Sequence, residues 1–179
     1  MTKRRSASTV FVLGLWIGAS IAVLGTVGYS FPGVERAMEE NPLLAERAGF
    51  APADVAAKKA SALWVLVGEL NRHYFRYFNR AQSVLAVLAA LLAARFAGRG
   101  PFVLIVIAGA LTLMLTLQFA PELTEQGRAL DFVPRVPAPP DEARFLTLHR
   151  VYTALEATKL VCLAVAALLT ARGVRCENP

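Results

Sequence analysis

Charged side chains are scarce in this chain. They make up 18% of its 179 residues, and 56% of the residues are hydrophobic, whereas a soluble domain of this size carries about 25% charge. The mean hydropathy is +0.49, and the apolar residues occur in long blocks. These features exclude an ordinary soluble globular domain and favour an integral membrane protein.

Cysteine and histidine are rarer still, with two of each. Cys162 and Cys176 lie about 21 Å apart if the segment is helical, whereas a disulfide needs Cα atoms within about 7 Å. An intrachain disulfide is therefore not expected, and the spacing does not suggest zinc. The sequence also lacks a glycine-rich phosphate loop, a G-x-S-x-G elbow and an H-E-x-x-H motif. It predicts no catalytic residue.

The surplus of basic residues does not indicate a nucleic-acid partner. The net charge is +6 and the pI is about 9.8. The positive side chains mostly flank apolar segments, and they form no stripe with interleaved aromatic residues. The partner that this pattern predicts is the lipid bilayer.

The apolar blocks predict four membrane-spanning helices, because each is close to the roughly 20 residues that a helix needs to cross a bilayer. The predicted spans are residues 10–31, 77–97, 102–120 and 148–171. The expected fold is an all-α, up-and-down four-helix bundle, with residues 1–179 forming one membrane domain. Two outer segments, 32–76 and 121–147, connect the spans on one side.

The first span follows Lys3, Arg4 and Arg5, as a secretory signal would, but its apolar run is too long for a signal and no A-x-A cleavage site follows. We therefore expect an uncleaved first helix. Within it, small residues recur every fourth position and predict a strip that packs against another helix. The strip consists of Gly14, Gly18 and Ala22.

The distribution of basic residues predicts the orientation of the bundle. Short cytoplasmic segments of membrane proteins are enriched in Lys and Arg. Basic residues dominate the N-terminal segment, the turn after the second span and the C-terminal segment: Lys3, Arg4, Arg5, Arg95, Arg99, Arg172 and Arg175. We therefore expect both termini in the cytoplasm of a bacterial inner membrane, with both long connections facing outward.

The first outer segment predicts an amphipathic helix. From Pro52 a helical pattern runs towards the second span, but the apolar run 62–67 is too short to cross the bilayer. We expect this helix to lie at the outer interface, with Trp64, Tyr74, Phe75 and Tyr77 as membrane-border aromatics. The second outer segment is rich in proline and is expected to be extended and exposed.

Ionisable residues inside the last span are the strongest functional signal, because such groups are costly in a membrane. Counting about 1.5 Å per residue from the cytoplasmic ends places Arg80, Gln118 and Glu156 at similar heights, about 22 to 25 Å up their helices. With Lys159, they predict a buried polar layer in which Arg80 faces Glu156. The simplest interpretation is a structural ion pair that neutralises both groups.

Two functional alternatives use the same region. In the first, Arg80, Glu156 and Lys159 handle ions, protons or a small solute. In the second, His73 and His149 ligate haem or copper, because each lies seven residues, about two turns, before Arg80 or Glu156 on parallel helices. A simple up-and-down bundle places the second and fourth spans diagonally, which weakens any direct contact between them.

Three short motifs resemble those of a known family. They are Leu15-Trp16-Ile17-Gly18 in the first span, Tyr77-Phe78-Asn79-Arg80-Ala81-Gln82 at the entry of the second, and the F-x-x-L-H pattern ending at His149 at the entry of the last. In these motifs, and over most of its length, the chain resembles the transmembrane family called domain of unknown function 4149, whose eukaryotic relatives are the transmembrane protein 205-like proteins.

The resemblance implies a four-span helical membrane domain with no established reaction, and it carries over His149 from the F-x-x-L-H pattern. The family is distantly similar to copper-resistance and haem-pathway membrane proteins. The chain departs from the family in its long outer segment, 32–76, and in Lys159.

The leading hypothesis is therefore a small inner-membrane protein without catalytic activity of its own, with a structural or accessory role as a subunit of a larger membrane complex. A transporter using Glu156, Arg80 and Lys159 is the second hypothesis, and a haem- or copper-binding redox protein using His73 and His149 is the third. No cofactor is expected under the leading hypothesis.

Overall fold

The computed structural model describes residues 2–48, 61–134 and 137–176, with side chains described between Ala7 and Gly173. Over these residues the chain is all-helical, without strands. Four of its helical segments are long and apolar enough to cross a membrane. The predicted fold class is confirmed, and the chain has the architecture of a multi-pass membrane protein.

The helices follow one another with few interruptions. They are α1 (Thr2–Glu40), α2 (Pro42–Arg47), α3 (Ala62–Phe96), α4 (Arg99–Met114), a π-helical turn (Leu115–Phe119), α5 (Ala120–Ala129) and α6 (Pro140–Cys176). Local signals set several boundaries. The Asn41 side chain accepts a hydrogen bond from the Leu44 N–H (3.1 Å) and starts α2. Ser61 caps α3 in the same way through the Trp64 N–H (3.3 Å).

The long helices form a four-membered ring. α1 and α4 each pack against both α3 and α6, so α3 and α6 lie on a diagonal. The short turn at Ala97 and Gly98 makes α3 and α4 antiparallel. We call this the turn end of the bundle, and the opposite end, where the connections are long, the long-loop end.

Close packing of small and large side chains holds the half of the bundle near the turn end. Because lipid tails are as apolar as the side chains, helices associate in a membrane by packing rather than by hydrophobic burial. Alanines of α3 supply the space into which large side chains of the other helices fit. The buried core comprises Val12, Leu13, Trp16, Ala86, Ala89, Ala93, Ile105, Ala108, Leu163 and Ala166.

The small-residue strip of α1 is not part of this packing. Gly14, Gly18 and Ala22 are exposed, and a Cβ atom built at either glycine would meet nothing within 4 Å. The prediction that the strip packs against another helix of the chain is therefore wrong. α1 turns Leu13 and Trp16 inward instead, because the alanines of α3 already allow the close approach.

The helices extend beyond the predicted spans at the long-loop end. α3 has 35 residues, which is about 52 Å of helix, whereas the hydrocarbon core of a bilayer is about 30 Å thick. Over residues 62–76, the segment predicted to lie along the outer interface is the first part of α3 rather than a separate helix. Gly68 does not interrupt it. The earlier part of that prediction, from Pro52, lies outside the described residues.

The second outer segment is also more helical than predicted. Pro121 stands at the start of α5 and Pro140 at the start of α6. Proline is tolerated in a first helical turn, where its missing N–H would have no intrahelical partner. Only the stretch between Ala129 and Pro140 connects the two helices, so the prediction of an extended segment is wrong for residues 121–129 and 140–144.

Candidate functional site

A cluster of polar side chains crosses the centre of the bundle. The Lys159 ammonium is fully buried and forms an ion pair with Glu156, which is three residues away on α6. Lys159 Nζ also donates a hydrogen bond to Gln82 Oε1 (2.6 Å) on the diagonal helix α3. Gln82 Nε2 in turn donates to Asn79 Oδ1 (2.8 Å). We call Asn79, Gln82, Glu156 and Lys159 the central polar cluster.

The spacing of these residues explains the cluster. Asn79 and Gln82 are three residues apart on α3, as Glu156 and Lys159 are on α6, so each pair shares one helix face. The ammonium also lies 5.5 Å from the centroid of the Phe78 ring. Burying a single charge away from water costs roughly several kcal/mol, so a buried charge is tolerated only when it is paired and hydrogen-bonded. The cluster meets that condition for Lys159.

Two members of the predicted polar layer are not in the cluster. Arg80 and Gln118 are exposed, whereas Glu156 and Lys159 are buried. Arg80 follows Asn79 by one residue and is therefore rotated by about 100° away from the interior face. Gln118 lies in the π-helical turn, whose wider winding shifts the faces of α4. The prediction that Arg80 faces Glu156 is wrong: Glu156 pairs with Lys159, and Gln82 is the α3 side chain that accepts a hydrogen bond from Lys159.

Towards the turn end, the central polar cluster is followed by an apolar layer. Its fully buried members include Trp16, Ala89, Ile105 and Leu163. Leu163 lies one turn beyond Lys159 on α6, and Ala89 lies two turns beyond Gln82 on α3. The polar interior is therefore closed on this side of the bundle.

Towards the long-loop end, the bundle opens into a cavity of about 810 Å³ between the extended parts of α1, α3, α5 and α6. Aromatic side chains form much of its wall. The Phe31 and Trp64 rings pack at a centroid distance of 4.4 Å, and Phe75 meets the edge of Tyr152 at 5.8 Å. Asn79 and Tyr152 lie at its inner end and join it to the central polar cluster.

Three buried polar atoms on this wall have no hydrogen-bond partner of standard geometry among the described residues. Asn71 donates through Nδ2 to Ser30 Oγ (2.7 Å), but its Oδ1 accepts nothing. Thr116 Oγ1, in the π-helical turn, is also without a partner. The Tyr152 hydroxyl lies within electrostatic reach of Asn79 and Glu156 but makes no well-aligned hydrogen bond. Each such group costs about 1 to 3 kcal/mol when unsatisfied.

Charged residues form a closed network at the rim of the cavity. The Arg72 guanidinium donates two hydrogen bonds to Asp131 (both 2.8 Å) and one to Glu69 (2.9 Å). Arg128 donates to both oxygens of Glu69 (2.8 and 3.2 Å). This rim network ties α3 to α5 and to the residues after it, and its two positive charges are balanced by two carboxylates.

Arg76 and Arg80 also line the cavity, but they lie outside this network. Both are exposed, and neither forms an ion pair or hydrogen bond with any residue in the described part of the chain. With Arg72 they form a row along one face of α3, at intervals of four residues. Two positive charges on the cavity wall therefore have no carboxylate within ion-pair distance among the described residues.

The structure gives the two histidines different surroundings. His149 lines the cavity and stacks on Phe145 with ring centroids 6.0 Å apart. His73 is half exposed, lies outside the cavity wall, and has its Nδ1 3.0 Å from the Glu69 carbonyl oxygen. Among the described residues, no group of three or more His, Cys, Asp or Glu side chains is placed to hold a metal ion.

Sequence reasoning missed Asn79, Gln82 and the cavity. The first two carried a signal: their three-residue spacing repeats that of Glu156 and Lys159, and it occurs on a parallel helix. The cavity was barely indicated by the sequence. Its wall combines the ends of four helices, and the hydropathy pattern underestimates the lengths of these helices.

The fold and the site together define a four-span helical membrane protein with a polar centre and a cavity at one end. No protein-family model, curated protein or solved structure matches the chain. The resemblance to domain of unknown function 4149 therefore stays a prediction from its short motifs.

Proposed function

We propose that this chain is a non-catalytic accessory protein of the membrane that binds one amphipathic molecule in the cavity at its long-loop end. One observation carries this proposal: the 810 Å³ cavity combines an aromatic wall with partnerless buried oxygens of Asn71, Thr116 and Tyr152. Binding sites for small molecules usually have volumes of about 300 to 1,000 Å³, with mostly apolar walls and a few polar anchors.

The lack of catalytic activity is part of the same proposal, because the ionisable groups of the central polar cluster are already paired. Glu156 and Lys159 neutralise each other, and Gln82 and Asn79 hold the ammonium further. This arrangement supports a structural role, in which the cluster fixes the diagonal helices α3 and α6 and closes the inner end of the cavity. A catalytic acid or base would instead need to lie within hydrogen-bonding reach of the substrate group whose proton it transfers.

The cellular setting is also proposed. The distribution of Lys and Arg supports a bacterial inner membrane with both termini in the cytoplasm. In this orientation the long-loop end, its rim network and the cavity face outward.

A pair of matched substitutions tests the binding function. Gly68 lines the cavity, and a Cβ atom there would meet only the guanidinium end of Arg72, at 3.7 Å or more. Gly68→Leu should therefore narrow the cavity next to Arg72 while the bundle still folds. Gly14→Leu makes the same change on the exposed face of α1, where nothing lies within 4 Å.

The measurement is native mass spectrometry of protein extracted in mild detergent, with identification of bound small molecules. We expect the unmodified protein and Gly14→Leu to carry one bound amphipathic molecule, and Gly68→Leu to lose it. An unmodified protein that carries none, or equal occupancy in all three proteins, would overturn the proposal.

A second candidate function, transport of a proton or small solute, rests on Glu156. Its Oε1 is buried without a hydrogen-bond partner close to the inner end of the cavity. The apolar layer around Trp16 and Leu163 opposes this function, because it interrupts the polar path. Transport predicts a flux into proteoliposomes that Glu156→Gln abolishes without lowering the melting temperature. Absence of flux in the unmodified protein would exclude it.

A further inference from the structure

The charges and hydrogen-bonding atoms of the cavity wall define its ligand more closely. We propose that the bound molecule is an anionic phospholipid with a hydroxylated headgroup, such as a phosphatidylglycerol, whose phosphate binds Arg76 and Arg80. This inference rests on the proposed binding function. It assigns the lipid class and the two residues that select it.

The arginines of the cavity wall are of two kinds, paired and unpaired. Arg72 and Arg128 donate hydrogen bonds to Asp131 and Glu69 in the rim network. Arg76 and Arg80 line the same cavity but contact no carboxylate in the described structure. A guanidinium presents a planar set of donors that matches a phosphate, and such charge-assisted hydrogen bonds are among the strongest in proteins.

The depth of Arg76 and Arg80 in the membrane also favours a phosphate ligand. Tyr77 begins the predicted second span, so Arg76 lies at the membrane border and Arg80 about 6 Å inside it. Lipid phosphates lie just outside this border, where Arg76 contacts them directly and Arg80 reaches them by extending its long side chain outward. Two carboxylates of the cavity wall, those of Asp131 and Glu142, lie further towards the long-loop end, and a third, Glu125, forms no ion pair with Arg76 or Arg80. Glu142, for example, precedes Tyr152 by ten residues, or about 15 Å of α6. Negative charge is therefore favoured at the border and not at the rim.

The positions of the partnerless polar atoms match the polar groups of a phospholipid. Asn71 Oδ1 requires a donor, and it lies about 8 Å further out along α3 than Arg76. A headgroup hydroxyl beyond the phosphate supplies that donor. The hydroxyls of Thr116 and Tyr152 lie near the inner end and can donate to ester carbonyls, which follow the phosphate on its inner side. Of the aromatic pairs on the wall, Phe75 and Tyr152 lie close enough to Arg76 and Asn79 to contact the start of an acyl chain.

The experiment uses the full chain in vesicles that contain equal amounts of phosphatidylglycerol and phosphatidylcholine. The protein is extracted in mild detergent, and the lipids retained per chain are counted by mass spectrometry. We expect one retained phosphatidylglycerol per chain. In the double variant Arg76→Gln/Arg80→Gln its retention should fall about tenfold or more, because a hydrogen-bonded charge pair is lost.

Two further variants control for general charge and folding effects. Arg95→Gln/Arg99→Gln removes two exposed arginines near the turn end, away from the cavity, and should retain the lipid. Arg76→Lys/Arg80→Lys restores the charge without the planar donors and should recover retention in part. If Arg76 and Arg80 only extend towards bulk lipid, as long basic side chains commonly do, both Gln double variants will retain the lipid equally. That result overturns the proposal.

The outcomes separate this inference from the function on which it rests. One outcome is a bound neutral or zwitterionic molecule that is displaced by Gly68→Leu but not by Arg76→Gln/Arg80→Gln. That result would overturn the lipid assignment and leave the binding function standing. An empty cavity in the unmodified protein would overturn both.

Discussion

Lys159 Nζ donates a 2.6 Å hydrogen bond to Gln82 Oε1 across the diagonal of the bundle. The two residues come from helices that do not pack side by side along their length, and they meet only because both side chains are long and point to the centre. This contact joins all four members of the central polar cluster, and it makes the stability of the bundle depend on a few side chains.

Removing the Lys159 charge should destabilise the protein strongly. Lys159→Met leaves the Glu156 carboxylate buried without its cation, which costs about 3 to 5 kcal/mol. Thermal unfolding in detergent should show a clearly lower midpoint. The double variant Lys159→Met/Glu156→Leu should recover most of the loss, because no buried charge remains. A double variant no more stable than Lys159→Met would contradict this account.

Two glutamines distinguish the observed cluster from the predicted layer. Gln82→Leu removes the acceptor of Lys159 and the donor of Asn79, and it should lower the free energy of unfolding by about 1 to 3 kcal/mol. Gln118→Leu makes the same change at an exposed position, so its effect should stay within about 0.5 kcal/mol. Chemical denaturation of both variants measures the difference. Equal effects would remove the case for a central cluster.

The rim network should make a smaller, salt-dependent contribution. Asp131→Asn removes the carboxylate that accepts two hydrogen bonds from Arg72, and it should lower stability by about 1 kcal/mol, because the pair is partly exposed. The difference from the unmodified protein should shrink as ionic strength rises. Glu125→Gln, at an exposed position outside this network, serves as the control and should show no comparable loss.

The orientation can be tested with reporters. If the short basic segments face the cytoplasm, a fluorescent protein fused to the C-terminus should be fluorescent in bacterial cells. An exported enzyme reporter inserted between Ala129 and Pro140 should be active only outside the cytoplasm. The reverse pattern at both positions would show that the cavity opens inward.

The number and approximate positions of the spans were predictable from the sequence, because hydropathy depends on composition over a whole window. The exposed hydrophobic residues Phe11, Val84 and Val161 fit the membrane setting, since they line the outside of the bundle. Helix ends were less predictable. Residues 62–76 carry charges that reduce their hydropathy, yet they continue α3 without a break.

The faces of the helices were the least predictable feature. Height along a helix follows from counting residues, which predicts similar depths for Glu156 and Arg80. Rotation depends on every neighbour at once. Arg80 is directed away from the bundle centre and lines the cavity, because Asn79 and Gln82 occupy the central face of α3. Gln118 is exposed in a π-helical turn, which the sequence does not predict. The burial of Glu156 and Lys159 was the part of the site that could be predicted from the sequence.

The apolar layer beyond Lys159 also determines the electrical environment of the site. A membrane potential falls mainly across the low-dielectric part of a protein, and moving one charge through 100 mV costs about 2.3 kcal/mol. In this bundle that part is the closed half around Trp16, Ile105 and Leu163. The cavity therefore stays near the potential of the solution at the long-loop end. A ligand that enters it, even an anionic one, crosses almost none of the transmembrane voltage.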